Sequence, residues 1–228
     1  MTDEKGKRLA GEEAIKHVKD GDIVGIGSGT TIAHVIDLLG ERVKQDGISI
    51  SAVPSSHQSA HQLVENGIPL TSLDEYPSLN ITIDGADEVD RALNLIKGGG
   101  AALTREKIVG AAAKSLIIVV DSSKLSDNIG GVPVPVEVLP FAYNFVKRKM
   151  QEMGGKVSLR NANRKLGPVI TDNGNFILDV KFDEIDEPSL LEIELNNIPG
   201  VIENGIFAGL ADIIYIGYAD RVEKLERI

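Results

Sequence analysis

The chain has no cysteine and no tryptophan, and aromatic residues fill only 4% of its 228 positions. Without thiols there are no disulfides, no thiolate zinc sites and no thiol nucleophiles, and the cytoplasm becomes the default compartment. Basic residues are in deficit as well: 24 Lys and Arg against 34 Asp and Glu give a formal charge of -10. Affinity for phosphate backbones comes mainly from neutralising them with Lys and Arg, so no nucleic-acid partner is expected. No basic run exceeds Lys147-Arg148-Lys149, and base-stacking platforms are missing too. No stretch approaches a membrane-spanning apolar run, and the N-terminal MTDEKGKR leads into no signal-peptide core, so neither membrane insertion nor secretion is expected. A small anionic substrate, held by local lysines and backbone amides, remains compatible with the acidic charge.

Hydrophobic residues make up 42% of the chain and charged residues 25%, with strand-like and helix-like segments in alternation. This pattern predicts an α/β protein, and the length suits one large domain plus a smaller one. A helical stripe over Asp3 to Lys19 precedes a short buried strand, Asp22 to Ile26, which runs into Gly27-Ser28-Gly29-Thr30-Thr31. Ile32, Val35, Ile36, Leu39 and Val43 then recur at helical spacing. Strand, glycine loop and helix start together make a potential anion site. Gly25 and Gly27 begin a G-x-G-x-x-G pattern, but position 30 is Thr, and the next strand, Ile48 to Val53, is followed by no acidic residue for a ribose hydroxyl. Nor does a Lys-Ser/Thr pair follow the glycines. Dinucleotide and Walker-type binding are therefore disfavoured. A loop fit for a phosphate or sugar hydroxyls stays open, beside the plainer reading of a tight turn with Ser or Thr capping the helix.

Ser55 and Gln58 have capping-box spacing ahead of a helix that reaches Asn66-Gly67. His57 and His61 have the spacing of a metal pair, but with no third ligand in view they read as a solvated helix face. His17 and His34 read as surface or packing residues. Leu79 to Ile83 reads as a strand ending at Asp84, and Ala92 to Ile96 as an apolar segment ending at Lys97. Gly98-Gly99-Gly100 leads into a helix over Ala101 to Lys114, with Ile108, Val109 and Ala112 on one face. Leu116 to Val120 is a buried strand ending in Asp121-Ser122-Ser123-Lys124. From Gly130, prolines punctuate a stretch with helices at Phe141 to Met153 and Pro188 to Leu195 and strands at Lys156 to Leu159, Val169-Ile170 and Phe176 to Val180, which suits an α+β module. Phe207 to Ile216 reads as a buried strand returning to the large sheet. The expected boundaries are therefore 1–130 with 205–228 for the large domain and 131–204 for an inserted small one.

Ile81 to Lys107 concentrates the chemistry. In an open parallel sheet, ligands bind at the carboxyl ends of strands, where Asp84 and Asp87 fall. A glutamate in the first turns of the following helix, Glu106, would feel like charge from these aspartates and drying from Ala101, Ala102 and Leu103. Both favour its protonated form, while Lys97 and the helix start oppose them. A carboxylate base, a lysine for a developing oxyanion and a phosphate loop are the parts that move a proton between adjacent carbons of a sugar phosphate. Taken singly, DGADE reads equally as a solvated acidic turn and KGGG as a flexible one. DGADE lacks the alternating ligand spacing of a calcium loop.

Together, DGADE (84–88), KGGGAALTREK (97–107), GSGTT (27–31), DSSK (121–124) and ENGIF (203–207) closely resemble the ribose-5-phosphate isomerase A family. The resemblance covers nearly the full length. It implies a Rossmann-like large domain with a mostly parallel sheet, a smaller α+β domain, and a homodimer or homotetramer in which the small domain makes oligomer contacts. It also implies conversion of ribose 5-phosphate to ribulose 5-phosphate with no cofactor and no metal. By motif, Glu106 would be the base, Asp84 would assist ring opening with Asp87 beside it, and Lys97 would stabilise the enediolate oxygen. Ser28, Gly29, Thr30, Thr31, Gly85, Ala86, Gly98, Gly99, Gly100 and Lys124 would contact substrate, and Lys7 would be a further phosphate contact. The loop reads SGTT where many relatives have TGST, a hydroxyl-for-hydroxyl exchange. A non-catalytic sugar-phosphate sensor and an acyl or CoA transferase using Glu106 as nucleophile are the alternatives; the intact Glu106, Asp84 and Lys97 weigh against the first.

Overall fold

A computed structural model describes residues 2–163 and 166–227, with the backbone alone at Thr2 and Asp3. In chain order the elements are α1 (Thr2–Ala14), β1 (Ile23–Ile26), α2 (Thr30–Asp46), β2 (Ser51–Pro54), α3 (His57–Glu65) and β3 (Ile81–Asp84). Next come β4 (Glu88–Val89), β5 (Leu95–Ile96), α4 (Leu103–Ala111), β6 (Leu116–Asp121), β7 (Val134–Val138), α5 (Tyr143–Glu152), β8 (Lys156–Leu159) and β9 (Phe176–Lys181). The chain closes with α6 (Pro188–Asn196), β10 (Val201–Asn204), β11 (Ile206–Phe207), β12 (Ile213–Gly217) and β13 (Val222–Glu226). Two compact units result. The larger runs to Ala86, resumes over Arg105–Leu125 and returns from Leu210; the smaller holds Asp87–Thr104 and Ser126–Gly209.

The larger unit is built on a six-stranded sheet of order β13-β12-β6-β3-β1-β2. Only β13 is antiparallel to its neighbour. Helix α2 buries Ile32, Val35, Ile36 and Leu39, the i, i+3, i+4, i+7 stripe, against Val24, Ile26, Ile81 and Ile83. Gly47 in the left-handed region (φ 70) stops it. Every residue of β6 is buried, as its uninterrupted LIIVVD run requires of a strand covered on both faces. From β1 the chain goes to β2 on one side and then to β3 on the other, so the strand order reverses at the β1/β3 pair. In open α/β sheets this switch point, at the carboxyl ends of the strands, is where ligands bind.

In the smaller unit, a four-stranded antiparallel sheet of order β10-β7-β9-β8 packs Val134, Val136, Val138, Leu178 and Val180 with Val146 and Met150 of α5 and Leu195 of α6. A three-stranded sheet, β11-β5-β4, completes it. Pro135 lies inside β7, an internal strand, where a proline would break the ladder. The register explains the exception. β10 ends its pairing at Asn204 opposite Val136, and just beyond it the Pro135 carbonyl accepts from Gly205 N at 2.7 Å, so the missing N–H faces the side where the ladder has ended.

Several elements depart from the sequence expectation. Val169 and Ile170 form no strand: Val169 N donates to Arg160 O at 2.9 Å, and Ile170 makes an isolated bridge with Phe176. Phe207 to Ile216 is two strands: Gly209 (φ 64) turns the chain between β11, in the smaller unit, and β12, which sits between β6 and β13. The prolines masked β7, and β4 and β5 are only two residues each. Because these short strands pair with each other and with β11, residues 87–104 belong to the smaller unit, although the sequence boundaries put them in the larger. The α3 capping box is formed by Ser56 and Ser59 rather than Ser55 and Gln58. Ile108 is half exposed; the buried face of α4 carries Leu103, Glu106, Val109 and Gly110.

Candidate active site

In the larger unit the site begins at the carboxyl ends of β1 and β3. Gly27 N donates to Ile83 O at 3.0 Å, which brings the turn after β1 alongside Asp84. The Asp84 carboxylate is buried, and its Oδ1 accepts from Gly85 N at 2.7 Å and Ser28 N at 3.3 Å. Charge-assisted bonds of this kind fix a carboxylate's orientation. A Cβ on Gly27 would stand 1.7 Å from Asp84 Oδ1, so this glycine makes the space the aspartate occupies.

Gly29, at φ 98, is the N-cap of α2 and makes no side-chain cap bond. The reading of this loop as a Ser- or Thr-capped turn therefore does not hold: the hydroxyls are not spent on the helix end. Ser28 Oγ is engaged elsewhere, with Ser55 Oγ at 2.8 Å and Ser56 Oγ at 2.7 Å, and so ties the loop to the start of α3. Thr30 and Thr31 open the first turn of α2, where backbone amides lack intrahelical partners. Lys7 reaches the same loop, its Nζ lying 3.5 Å from Thr30 Oγ1 and 3.0 Å from Glu4 Oε1. Hydrogen bonds from Lys7 and His34 hold the Glu4 carboxyl below its usual pKa. Lys7 arrives there because α1 meets β12 glycine to glycine: a Cβ on Gly6 would lie 2.6 Å from Gly217 O, and one on Gly217 would lie 1.9 Å from Gly6 O. Lys124 stands on the single helical turn Ser122–Lys124 that follows β6, a turn capped by Asp121 Oδ1 accepting from Ser123 N at 3.0 Å.

Glu106 is buried in the first turns of α4. Val109 O accepts from Thr82 Oγ1 at 3.0 Å, and Ala112 O from Leu79 N at 2.9 Å. Moving forward along the helix thus means moving backward along β3. Glu106 precedes Val109 by three residues, so it shares Val109's inward face, one turn further toward the carboxyl end of β3 and Asp84. Gly25 lets the helix approach: a Cβ there would be 2.0 Å from Thr82 Oγ1 and 2.6 Å from Val109 Cγ1.

The smaller unit carries the remaining residues. Lys97, buried at the end of β5, is held by its N–H to Gly205 O at 2.8 Å, and its Nζ lies 5.4 Å from the centroid of the Phe207 ring. ENGIF therefore supports Lys97: a Cβ on Gly205 would come 2.2 Å from the Lys97 carbonyl. Asp87 Oδ2 accepts from Gly99 N at 2.7 Å. The next residue, Glu88, is structural; its carboxylate accepts from the amides of Gly130, Gly131 and Val132 at 2.8, 3.0 and 3.3 Å. DGADE is thus divided, with Asp84 on the larger unit and Asp87 and Glu88 on the smaller.

Three supports were not found from sequence. The Arg160 guanidinium donates to the carbonyls of Gly98 and Gly99. Fully buried Glu137 accepts from Thr104 on α4, from Thr171 at 2.8 Å and from Asn175 at 2.8 Å. The Gly6–Gly217 contact is the third. The only sequence signals were a glycine early in a helix and an isolated glutamate among prolines and valines. His57 and His61 are exposed on α3, and among the described residues no group of three or more His, Asp or Glu side chains could hold a metal ion. No helix among them is long and apolar enough to cross a membrane.

Comparison with known proteins places this geometry in a family. The family model described as ribose 5-phosphate isomerase A (phosphoriboisomerase A) matches residues 51–221. The ribose-5-phosphate isomerase A of Methanothermobacter thermautotrophicus is 50% identical over 219 residues, 96% of each chain, and that of Pyrococcus horikoshii is 49% identical over the whole of both. A solved D-ribose-5-phosphate isomerase in complex with phospho-erythronic acid superposes with a TM-score of 0.97 at 49% identity, each chain fully covered. The isomerase of Methanocaldococcus jannaschii gives 0.95 at 45% identity, covering 98% of this chain and 99% of that one.

Proposed function

The chain belongs to the ribose 5-phosphate isomerase A family, and on that footing we propose a division of labour for the interconversion of ribose 5-phosphate and ribulose 5-phosphate in the pentose phosphate pathway. Glu106 removes the proton from C2 of the open-chain aldose; electrons move into an enediolate, and Glu106 returns the proton to C1 to leave the ketose. Asp84, with Asp87 beside it in sequence, handles the hydroxyl protons of ring opening and of the exchange between O1 and O2. Lys97 supplies positive charge to the enediolate oxygen. The first-turn amides of α2 with Thr30, Thr31, Lys7 and Lys124 take the phosphate, Ser28 shapes that loop, and the Gly85, Ala86 and Gly98–Gly100 backbone borders the sugar.

The observation that carries the reading is the register of α4 on β3. A buried glutamate is aimed at the strand end where a second buried carboxylate is fixed by two amides. The chemistry needs no cofactor and no metal. Ribose 5-phosphate should therefore be converted at an undiminished rate in excess EDTA; loss of turnover restored by a divalent cation would sink the metal-free mechanism.

Lys97→Ala should lower kcat about 10- to 100-fold with little change in KM, the pattern of an interaction that strengthens in the transition state. Steady-state kinetics check it, and a change in KM alone would make Lys97 a substrate clamp instead. We assign the enzyme to the cytoplasm and to a homodimer or homotetramer. Exposed Phe141, Leu190 and Ile193 of the smaller unit support the latter as contact surface, and sedimentation analysis of the wild type reads the assembly directly.

A further inference from the structure

The Gly98–Gly99–Gly100 turn is gripped from two sides within the smaller unit. Arg160 Nη1 donates to Gly98 O at 2.7 Å and to Gly99 O at 2.9 Å. The same guanidinium is pinned by Asp179, through Nε to Oδ2 at 2.9 Å and through Nη2 to Oδ1. On the other side Gly99 N donates to Asp87 Oδ2 at 2.7 Å. No described peptide bond is cis, and in a trans peptide the C=O and N–H point in opposite directions. With the Gly98 carbonyl toward Arg160, the Gly99 amide must face away from it, and the Asp87 bond confirms that it does. The same rule applied to the next peptide turns the Gly100 amide away from Arg160 as well. Gly100 is exposed, and a Cβ built there would have nothing within 4 Å. Ala101, at φ 62, closes the turn with its N–H to Gly98 O at 3.0 Å.

We propose that Arg160 is a positioning residue for the isomerisation: by fixing both carbonyls it presets the Gly100 amide as a donor to an oxygen of the sugar phosphate. This rests on the reading that the Gly98–Gly100 backbone borders substrate. Only a planar fork can serve a carboxylate through one edge and two carbonyls through another nitrogen, so lysine is a poor substitute. A built-in control exists in the same unit. Lys181 Nζ donates to the carbonyls of Gly130 and Gly131, while Glu88 takes the amides of the same two glycines. It is the same kind of grip on a glycine pair, but on a turn with no role in the proposed site.

The test compares Arg160→Gln and Arg160→Lys with Lys181→Gln by steady-state kinetics, thermal melting and amide NMR titration with phospho-erythronic acid. Both Arg160 variants should raise KM about tenfold or more, the worth of a hydrogen bond to a charged group, with kcat within about threefold of wild type. The Gly100 amide shift seen on titrating the wild type should shrink in both. Lys181→Gln should keep the wild-type KM whatever its melting temperature. Arg160 variants with a wild-type KM, or a KM rise shared equally by Lys181→Gln, would reduce Arg160 to a structural role and overturn the proposal. A wild type whose Gly99 and Gly100 amides ignore the ligand would instead defeat the underlying reading of this turn. If Arg160→Gln does not fold, Arg160→Lys, which keeps a cation beside Asp179, is judged by the same outcomes.

Discussion

Glu106→Gln should lower kcat for ribose 5-phosphate by about 100-fold or more, the usual share of a positioned general base, while KM stays near the wild-type value. A hundredfold loss corresponds to about 2.7 kcal/mol of transition-state stabilisation. The substitution keeps the shape of a side chain that is buried on the sheet-facing side of α4, while it removes the charge and the ability to accept a proton from carbon. An amide is also easier to bury than a carboxylate, so the melting temperature should not fall appreciably. Turnover at the wild-type rate would place the base elsewhere, and an unfolded variant would mean that the Glu106 charge is structural.

Gly27→Ala should be nearly as damaging by a different route. The added methyl would stand 1.7 Å from Asp84 Oδ1 and 2.0 Å from its Cγ. Either the Asp84 carboxylate swings off its two amide donors or β1 and β3 part at the switch point; overpacking of this kind costs about 1–3 kcal/mol. Activity should fall about 100-fold or more because Asp84 loses its orientation, which the proton traffic on the oxygens depends on. Gly47→Ala is the matched control. It carries a positive φ of 70 but open space around a Cβ, so it should cost about 1 kcal/mol of stability through backbone strain and leave kcat unchanged. Equal activity in the two variants would show that the close approach at Gly27 does not matter to catalysis.

Much of this architecture is legible in the sequence because the larger unit obeys simple periodicities. LIIVVD can only be a strand buried on both faces, and the α2 stripe fixes which side of that helix faces the sheet. The position of Asp84 was legible for a related reason, since a polar residue that ends an apolar strand falls at the carboxyl edge. Three kinds of feature were not. The two-residue strands β4 and β5 carry no period, so only their pairing with β11 reveals that residues 87–104 belong to the smaller unit. Pro135 reads as a strand breaker until the neighbouring ladder is seen to end beside it. Long-range polar contacts leave no local trace: Arg160 acts on glycines about 60 residues upstream, and Glu137 is tied to Thr104 and to Asn175 from a valine-rich strand. On α4 the sequence groups Ile108 with Val109 and Ala112 on one apolar face, and the structure separates them. The register instead turns Glu106 and Val109 inward and leaves Ile108 half exposed.

In the proposed mechanism one carboxylate, Glu106, carries the hydrogen between C2 and C1. Ribose 5-phosphate deuterated at C2 tests it most directly when given to the wild type and to Glu106→Gln, with phospho-erythronic acid binding measured on both to show that each retains its site. The wild type should remove the C2 label at the rate of isomerisation, while the variant binds the ligand but leaves the label in place. Loss of the C2 label from the variant at the wild-type rate would contradict that mechanism.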